Sequence, residues 1–251
     1  MRLVQYGLTL FFAIEITVTQ EEREARSRES LPVELVLVRH AEPDWERKQN
    51  GDPGLTELGR VQAARTATQL KKFPIDAIYC SPLQRARETA ETIAELQTLT
   101  PALIDDLEEI RVPALRNLSQ TEVDSYFAAA ARRTLQERWS GFPGGESYRD
   151  FHKRVSSAIE SMLRHYGIHS RLNEEFTVWS APARGRALRI AVVAHGGTNS
   201  VVLTHLLGIP PVPWEWLRFE TVLSAVSIVA LRGISDDSYV WSLQRFGWRE
   251  D

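Results

Sequence analysis

Two histidines and two arginines stand at the ends of short apolar runs in this sequence. The run "VELVLV" (33–38) leads into Arg39 and His40, "IDAIYC" (75–80) into Ser81 and a segment carrying Arg85, and "RIAVVA" (189–194) into His195. A neutral imidazole is a nucleophile or proton carrier near neutral pH. A guanidinium offers planar, multidentate donors that match the oxygens of a phosphoryl group. In an open α/β sheet, ligands sit beyond the carboxyl ends of the strands, so three such strands would bring all four side chains to one place. A helix starting at Ser81 would add backbone N–H groups and the positive end of a dipole. The chemistry this set suits is capture of a dianionic phosphoryl group with an imidazole aimed at it.

The elements that must position these residues can be read around them. Beyond residue 31, short apolar strands alternate with longer amphipathic segments, the pattern of an α/β layered fold. "GLTELGRVQAARTATQLKKF" predicts a helix capped by Thr56, with Leu58, Val61 and Leu70 among its apolar positions. "SPLQRARETAETIAEL" predicts another, capped by Ser81, with Pro82 at the first helical position and Gln84 completing a capping box. "PALID" reads as a short strand. Residues 119–138 place Val123, Phe127, Ala130, Ala131, Thr134 and Leu135 on one helical face, and residues 147–166 do the same with Phe151, Val155, Ile159, Met162 and Tyr166. "GGTNSVVLTHLLG" predicts a helix closed by Gly208. "SAVSIVAL" and "YVWSLQRF" predict two final strands, antiparallel at an edge of the sheet. No solenoid repeat and no internal linker divides residues 31–251, so they are read as one domain.

Composition narrows the partners. At 251 residues, 43% hydrophobic and 25% charged, the chain is of ordinary globular make-up, with a formal net charge of −3. That balance gives no general attraction to nucleic acid or to an anionic membrane, so any bound anion must be held by a local positive cluster. The one cysteine, Cys80, excludes an internal disulfide and a thiolate-rich metal site and fits a reducing compartment, hence a cytoplasmic expectation. Residues 1–30 differ from the rest. "LTLFFAI" follows Arg2 in the manner of a signal peptide, but Glu15 interrupts it, no small-residue cleavage pattern follows, and the run is too short to span a bilayer. They are read as a peripheral or poorly ordered extension.

The order of motifs resembles the histidine phosphatase superfamily, the phosphoglycerate-mutase-like group. The likeness rests on "LVRHAEP", "GLTELGRVQA", "SPLQRARETAE", "LEEI", "GGESYRDFHKRV" and "VVAHGGT", and spans about residues 33–231. It implies a three-layer α/β/α sandwich with a mostly parallel central sheet. It further implies that His40 is the nucleophile that becomes a phosphohistidine, that Arg39 and Arg85 bind the phosphoryl oxygens, and that His195 is the second histidine of the pocket. Glu109, with Glu108 beside it, matches the acid that protonates the leaving oxygen. The resemblance implies a small phosphorylated substrate, no metal and no cofactor, and leaves a homodimer open. Gly145, Glu146 and Ser147 match a recurrent family motif, which a loop leading into a helix capped by Ser147 explains equally well.

Departures from the family refine the expectation. Ala41 stands where glycine is usual, which would matter if the residue needed a positive φ. The glycine and aromatic that usually follow the acid are replaced by "RVPALRNL", and the longer Glu-Arg-His-Tyr-Gly run of a phosphoglycerate mutase is missing, so a phosphatase is expected rather than a mutase or a phosphate-binding scaffold. A mutase must also shelter its phosphohistidine from water. The segment 105–145 is expected to form a lid, in which Arg111 and Arg116 either grip an acidic group or are solvated. The segment 170–188 is longer than usual and reads as an added loop or hairpin, its Arg184, Arg186 and Arg189 facing solvent.

Other chemistries fit less well. "CSPLQR" puts four residues between Cys80 and Arg85 where cysteine phosphatases need five, so Cys80 reads as a buried thiol. "HGGT" has no accompanying Gly-x-Ser-x-Gly elbow of a serine hydrolase. His165 and His169 have zinc-like spacing, but Gly167 lies between them and no acid completes a motif. Trp214 and Trp216 are read as packing residues that could line a pocket.

Overall fold

The computed structural model describes residues 33–46, 52–112, 119–173, 175–182, 186–235 and 237–249. The extension 1–30 lies outside the described residues, as do Arg116 and Arg184.

An eight-stranded sheet organises these residues: β1 (Val33–Arg39), β2 (Ala77–Cys80), β3 (Ala102–Leu103), β4 (His169–Asn173), β5 (Phe176–Ser180), β6 (Leu188–Ala194), β7 (Val226–Ser235) and β8 (Ser238–Trp248). Their spatial order is β3-β2-β6-β1-β7-β8-β5-β4. The sheet is mostly parallel at its core, where β3, β2, β6 and β1 run together, and its other members pair antiparallel. Strand β1 shows why it lies in the middle. Its apolar residues alternate between two faces, Leu35 and Leu37 joining one core and Val36 and Val38 the other.

Helices cover both faces. The long helix α5 (Tyr148–Arg164) and α6 (Gly196–Leu206) pack on one side, α1 (Glu57–Leu70) and α2 (Gln84–Gln97) on the other, giving an α/β/α sandwich. On α5 the residues Phe151, Val155, Ile159 and Met162 are buried, and Ser147 caps the helix by accepting from Asp150 N, as the periodicity predicts. Gly208, at φ +65°, ends α6 by the left-handed turn that glycine adopts without strain.

Several local expectations are corrected. Thr56 does cap α1, accepting from Gly59 N, but Leu58 and Val61 are exposed. The buried face is made by Gly59, Ala63, Thr66, Ala67 and Leu70, because small residues let the helix lie close to the sheet. Residues 119–138 form two helices, α3 (Gln120–Ala131) and α4 (Leu135–Arg138), instead of one. Thr134 is not a mid-helix residue. It builds a capping box with Glu137, as Ser119 does with Glu122, and a capped start outweighs continuation through a poor helix former. The last two strands are not at an edge: β7 pairs with β1, and the hairpin β4–β5, formed by part of the added segment 170–188, takes the border position beyond β8. A short helix, α7 (Glu215–Arg218), follows α6. Among the described residues no helix is long and apolar enough to cross a membrane.

The contrast on two helices is measurable. Phe151→Ala, in the fully buried core, is expected to lower unfolding free energy by about 3–5 kcal/mol in urea titration. Leu58→Ala, at 54% exposure, should change it by less than about 0.5 kcal/mol. Equal losses would contradict the burial pattern.

Candidate active site

Strand β1 ends by delivering His40 into the interior. Its backbone is pinned from two sides: His40 N donates to Ala194 O at 2.9 Å, and Ser224 N donates to His40 O at 3.2 Å. The ring Nδ1 lies 2.7 Å from Ala41 O, an acceptor that fixes the proton on Nδ1 and leaves the lone pair on Nε2. Arg85 Nε donates toward that Nε2 at 3.3 Å. Burial and then the positive charges of Arg85 and Arg39 depress the pKa of His40 to about 3, against the smaller opposing effect of the Ala41 carbonyl. The ring is therefore neutral at pH 7. Ala41 does not adopt a positive φ, so the alanine in place of glycine costs nothing here.

His195 faces it, ring centroids 5.1 Å apart and planes at 60°. Its Nε2 is 2.8 Å from Ser81 Oγ. Ser81 Oγ also accepts from Leu83 N, and with its hydroxyl donating to His195 Nε2 the imidazole carries its proton on Nδ1. That Nδ1 is buried and has no partner among the described residues. Burial, Arg85, His40 and Arg39 hold the His195 pKa well below its ordinary value. Ser81 is thus a pocket residue and not a helix cap: α2 starts at Gln84, whose N–H is received by the Asp52 carboxylate at 2.9 and 3.1 Å.

The two arginines complete the cluster. Arg39 donates from Nη1 to Thr221 O, while its Nε is buried without a partner among the described residues. It lies against Gly196, where a Cβ would come within 3.4 Å of its Cζ. Arg85 has Asp52 at 3.6 Å and the Trp45 ring at 5.5 Å. Desolvation lowers the pKa of both guanidinium groups, opposed by Glu109 and Glu220 around Arg39 and by Asp52 and Glu109 around Arg85.

Glu109 reaches the same region. Its Oε2 accepts from Gly197 N at 2.9 Å in the first turn of α6, and its Oε1 from Ile110 N at 3.0 Å. A Cβ on Gly197 would lie 2.5 Å from Oε1, so glycine is what permits the approach. Glu108 points elsewhere, to Arg111. The loop is held by Arg154. Its guanidinium donates to the carbonyls of Asp106, Glu108 and Glu109 at 2.8–3.1 Å and pairs with both oxygens of Glu146 at 2.7 and 2.8 Å. The quoted motif "GGESYRDFHKRV" contains both partners, so the signal lay in the sequence.

The five predicted residues are brought together; other candidates are not. Cys80 is a buried thiol whose pKa burial raises to about 12. His165 Nδ1 meets Ser161 O at 2.8 Å. Arg186 faces solvent as expected while pairing with Asp76, whereas Arg189 is half-buried and pairs with Glu34. Among the described residues no group of three or more His, Cys, Asp or Glu is arranged to hold a metal ion.

Comparison with known proteins agrees with this geometry. Residues 35–241 match the family model of the histidine phosphatase superfamily (branch 1). The chain is 33% identical over 207 residues to a 2,3-bisphosphoglycerate-dependent phosphoglycerate mutase of Bartonella bacilliformis, covering 76% of this chain and 95% of that protein. It is 34% identical over 139 residues to phosphoserine phosphatase 1 of Hydrogenobacter thermophilus, covering 53% of this chain and 66% of that one, just short of two thirds of its length. The structure of a mycobacterial glucosyl-3-phosphoglycerate phosphatase superposes with a TM-score of 0.64 at 25% identity, covering 86% of this chain and 99% of the other.

The state of His40 can be read directly. Histidine NMR of the free protein is expected to show its ring neutral from pH 8 down to about pH 4, in contrast to the ordinary value near 6.5. Between about 6.5 and 3 the unfolded ring binds a proton that the folded ring refuses, so folded stability is lost as pH is lowered through that interval and is full above it. A His40 midpoint between about 6 and 7 would contradict the burial argument.

Proposed function

The chain belongs to the histidine phosphatase superfamily, and from that footing we propose that it is a phosphomonoesterase acting on a small phosphorylated metabolite through a phosphohistidine on His40. The observation that carries the proposal is a neutral imidazole with its lone pair on Nε2, set beside two guanidinium groups and a second imidazole. The unpartnered donors Arg39 Nε and His195 Nδ1 are what phosphoryl oxygens would satisfy.

The reaction then runs in two displacements. The His40 Nε2 lone pair attacks phosphorus and forms the N–P bond as the ester P–O bond breaks. Glu109, in its acid form, gives a proton to the departing oxygen, and the alcohol leaves. Arg39, Arg85 and His195 stabilise the charge spread over the transferring phosphoryl oxygens. Water next attacks the phosphohistidine and loses a proton to the Glu109 carboxylate. The N–P bond breaks, releasing inorganic phosphate and restoring both residues. The guanidinium groups supply the positive charge, so the proposal needs no metal. The single cysteine supports placing this activity in the cytoplasm.

A second reading is a mutase, favoured by the likeness to the Bartonella bacilliformis protein. In that case the phosphoryl group returns to an acceptor alcohol instead of water, and transfer from a phosphorylated donor would exceed release of inorganic phosphate.

The first test is turnover of a chromogenic phosphate ester with chelator present. Wild type is expected to remain active and His40→Ala to lose essentially all turnover; survival of His40→Ala activity refutes the mechanism. Glu109→Gln separates the proton-transfer step. Its kcat should fall about 10²–10⁴-fold on alkyl phosphates, whose leaving oxygen needs a proton, and far less on nitrophenyl phosphate. A loss independent of the leaving group would remove Glu109 from the acid role.

A further inference from the structure

A cavity of about 180 Å³ lies between α3, α4, the loop at Gly141–Phe142, and the segment around Trp216. It touches the catalytic region through one residue: Ile110 lines it, and the backbone N–H of Ile110 holds Glu109 Oε1 at 3.0 Å. The alcohol part of an ester whose leaving oxygen meets Glu109 would extend toward this space.

Four of its lining residues are aromatic. Phe127 and Phe142 meet edge to face at 5.7 Å, and Trp216 meets Tyr148 in the same way at 5.5 Å. Tyr148 has its hydroxyl occupied by Glu215 N at 3.2 Å, so it presents its ring and not its polar tip. A dry cavity of about 150 Å³ already holds benzene, so the space here suits one ring.

Two lining side chains do not belong to an apolar wall. Arg133 and Arg138 are half-buried, and each is anchored by a backbone carbonyl, Arg133 Nη1 on Gly141 O and Arg138 Nη2 on Ala131 O at 2.8 Å. Arg111, Arg154, Arg186 and Arg189 each face a carboxylate. Arg133 and Arg138 form no ion pair among the described residues, and Glu137 between them in the chain reaches back to cap α4 at Thr134. Two oriented guanidinium groups with spare donors border the cavity, with only the exposed Glu137 carboxylate, itself engaged in the α4 cap, acting on Arg133.

We propose that this cavity binds the alcohol portion of the substrate and selects a flat apolar group carrying an acidic substituent, the ring lying between Phe127, Phe142 and Trp216 and the acid meeting Arg133 and Arg138. The inference rests on the phosphatase reading of the neighbouring site.

Three esters with closely matched leaving oxygens test it: ethyl phosphate, benzyl phosphate and 4-carboxybenzyl phosphate. For wild type, kcat/KM is expected to rise about tenfold at each step, as burial of a ring and then a charge-assisted contact would give. Arg133→Gln combined with Arg138→Gln should collapse the ratio of carboxybenzyl to benzyl ester toward one, and Phe127→Ser the ratio of benzyl to ethyl. Arg87→Gln, on α2 and paired with Glu91, serves as the control and should leave both ratios as in wild type. Calorimetry with the product alcohol, 4-(hydroxymethyl)benzoate, gives a readout free of turnover and should show binding weakened at least tenfold by the double arginine substitution. Equal kcat/KM for the three esters, or ratios and binding indifferent to the arginines, overturns the cavity assignment and leaves the phosphatase reading standing. No turnover of any ester, with binding of the benzoate still arginine-dependent, overturns the phosphatase reading and supports the cavity.

Discussion

Two largely buried guanidinium groups held beside an uncharged imidazole are the constraint around which this molecule is built. Arg85 has only 7% of its surface exposed, and its carboxylate partner Asp52 stands 3.6 Å away. Arg39 is anchored by a neutral carbonyl. Taking a cation out of water is costly unless hydrogen bonds and charges compensate, and here the compensation is incomplete. Burial first, and then the positive charges of Arg85 and Arg39, depress the pKa of both histidines, which keeps His40 neutral and leaves Nε2 with its lone pair. Fold stability is thus set against the burial of these charges.

Much of the surrounding structure serves to hold these groups at the ends of three strands. The parallel register fixes the start: Arg39 is level with Ala194 across β1 and β6, and Cys80 with Val193 across β2 and β6. One residue further along each strand, His40, Ser81 and His195 face the same space. Glu109 comes from a loop and needs separate support. Arg154 supplies it from α5 by engaging three carbonyls of residues 106–109, while Glu146 neutralises Arg154. A long helix whose apolar face is locked into the core therefore sets the place of a carboxylate on a loop. Gly197 contributes by absence, since a side chain there would crowd Glu109.

The antiparallel half of the sheet has a different role. Strand β7 covers what would otherwise be the free edge of β1, and β8 with the β4–β5 hairpin carries the border away from the pocket. Elsewhere, the broken helix of residues 120–138 contributes Phe127 and two arginines to the lining of one cavity. The break at Thr134 matters to that arrangement, because it lets α3 and α4 contribute to adjacent walls.

The sequence by itself determined the features that depend on residues close in the chain. Buried strands were legible as apolar runs, Thr56 and Ser147 as caps, Gly208 as a stop, and the long amphipathic helix as period-3.6 burial. The pocket histidines and arginines were legible because each follows a strand directly. The tertiary structure decided the matters that turn on partners far apart in the chain. Ser81 has the composition of a cap but hydrogen-bonds His195, 114 residues away, and Asp52 takes over the helix start from 32 residues upstream. Leu58 and Val61 look like core residues until the close approach of α1 to the sheet selects Ala63 and Ala67 instead. Arg154 is one of many arginines until three carbonyls are found around it. Local preferences act through backbone torsions and near neighbours, whereas a polar side chain takes whichever partner the packed chain brings within about 3 Å, and no short window of sequence contains that partner.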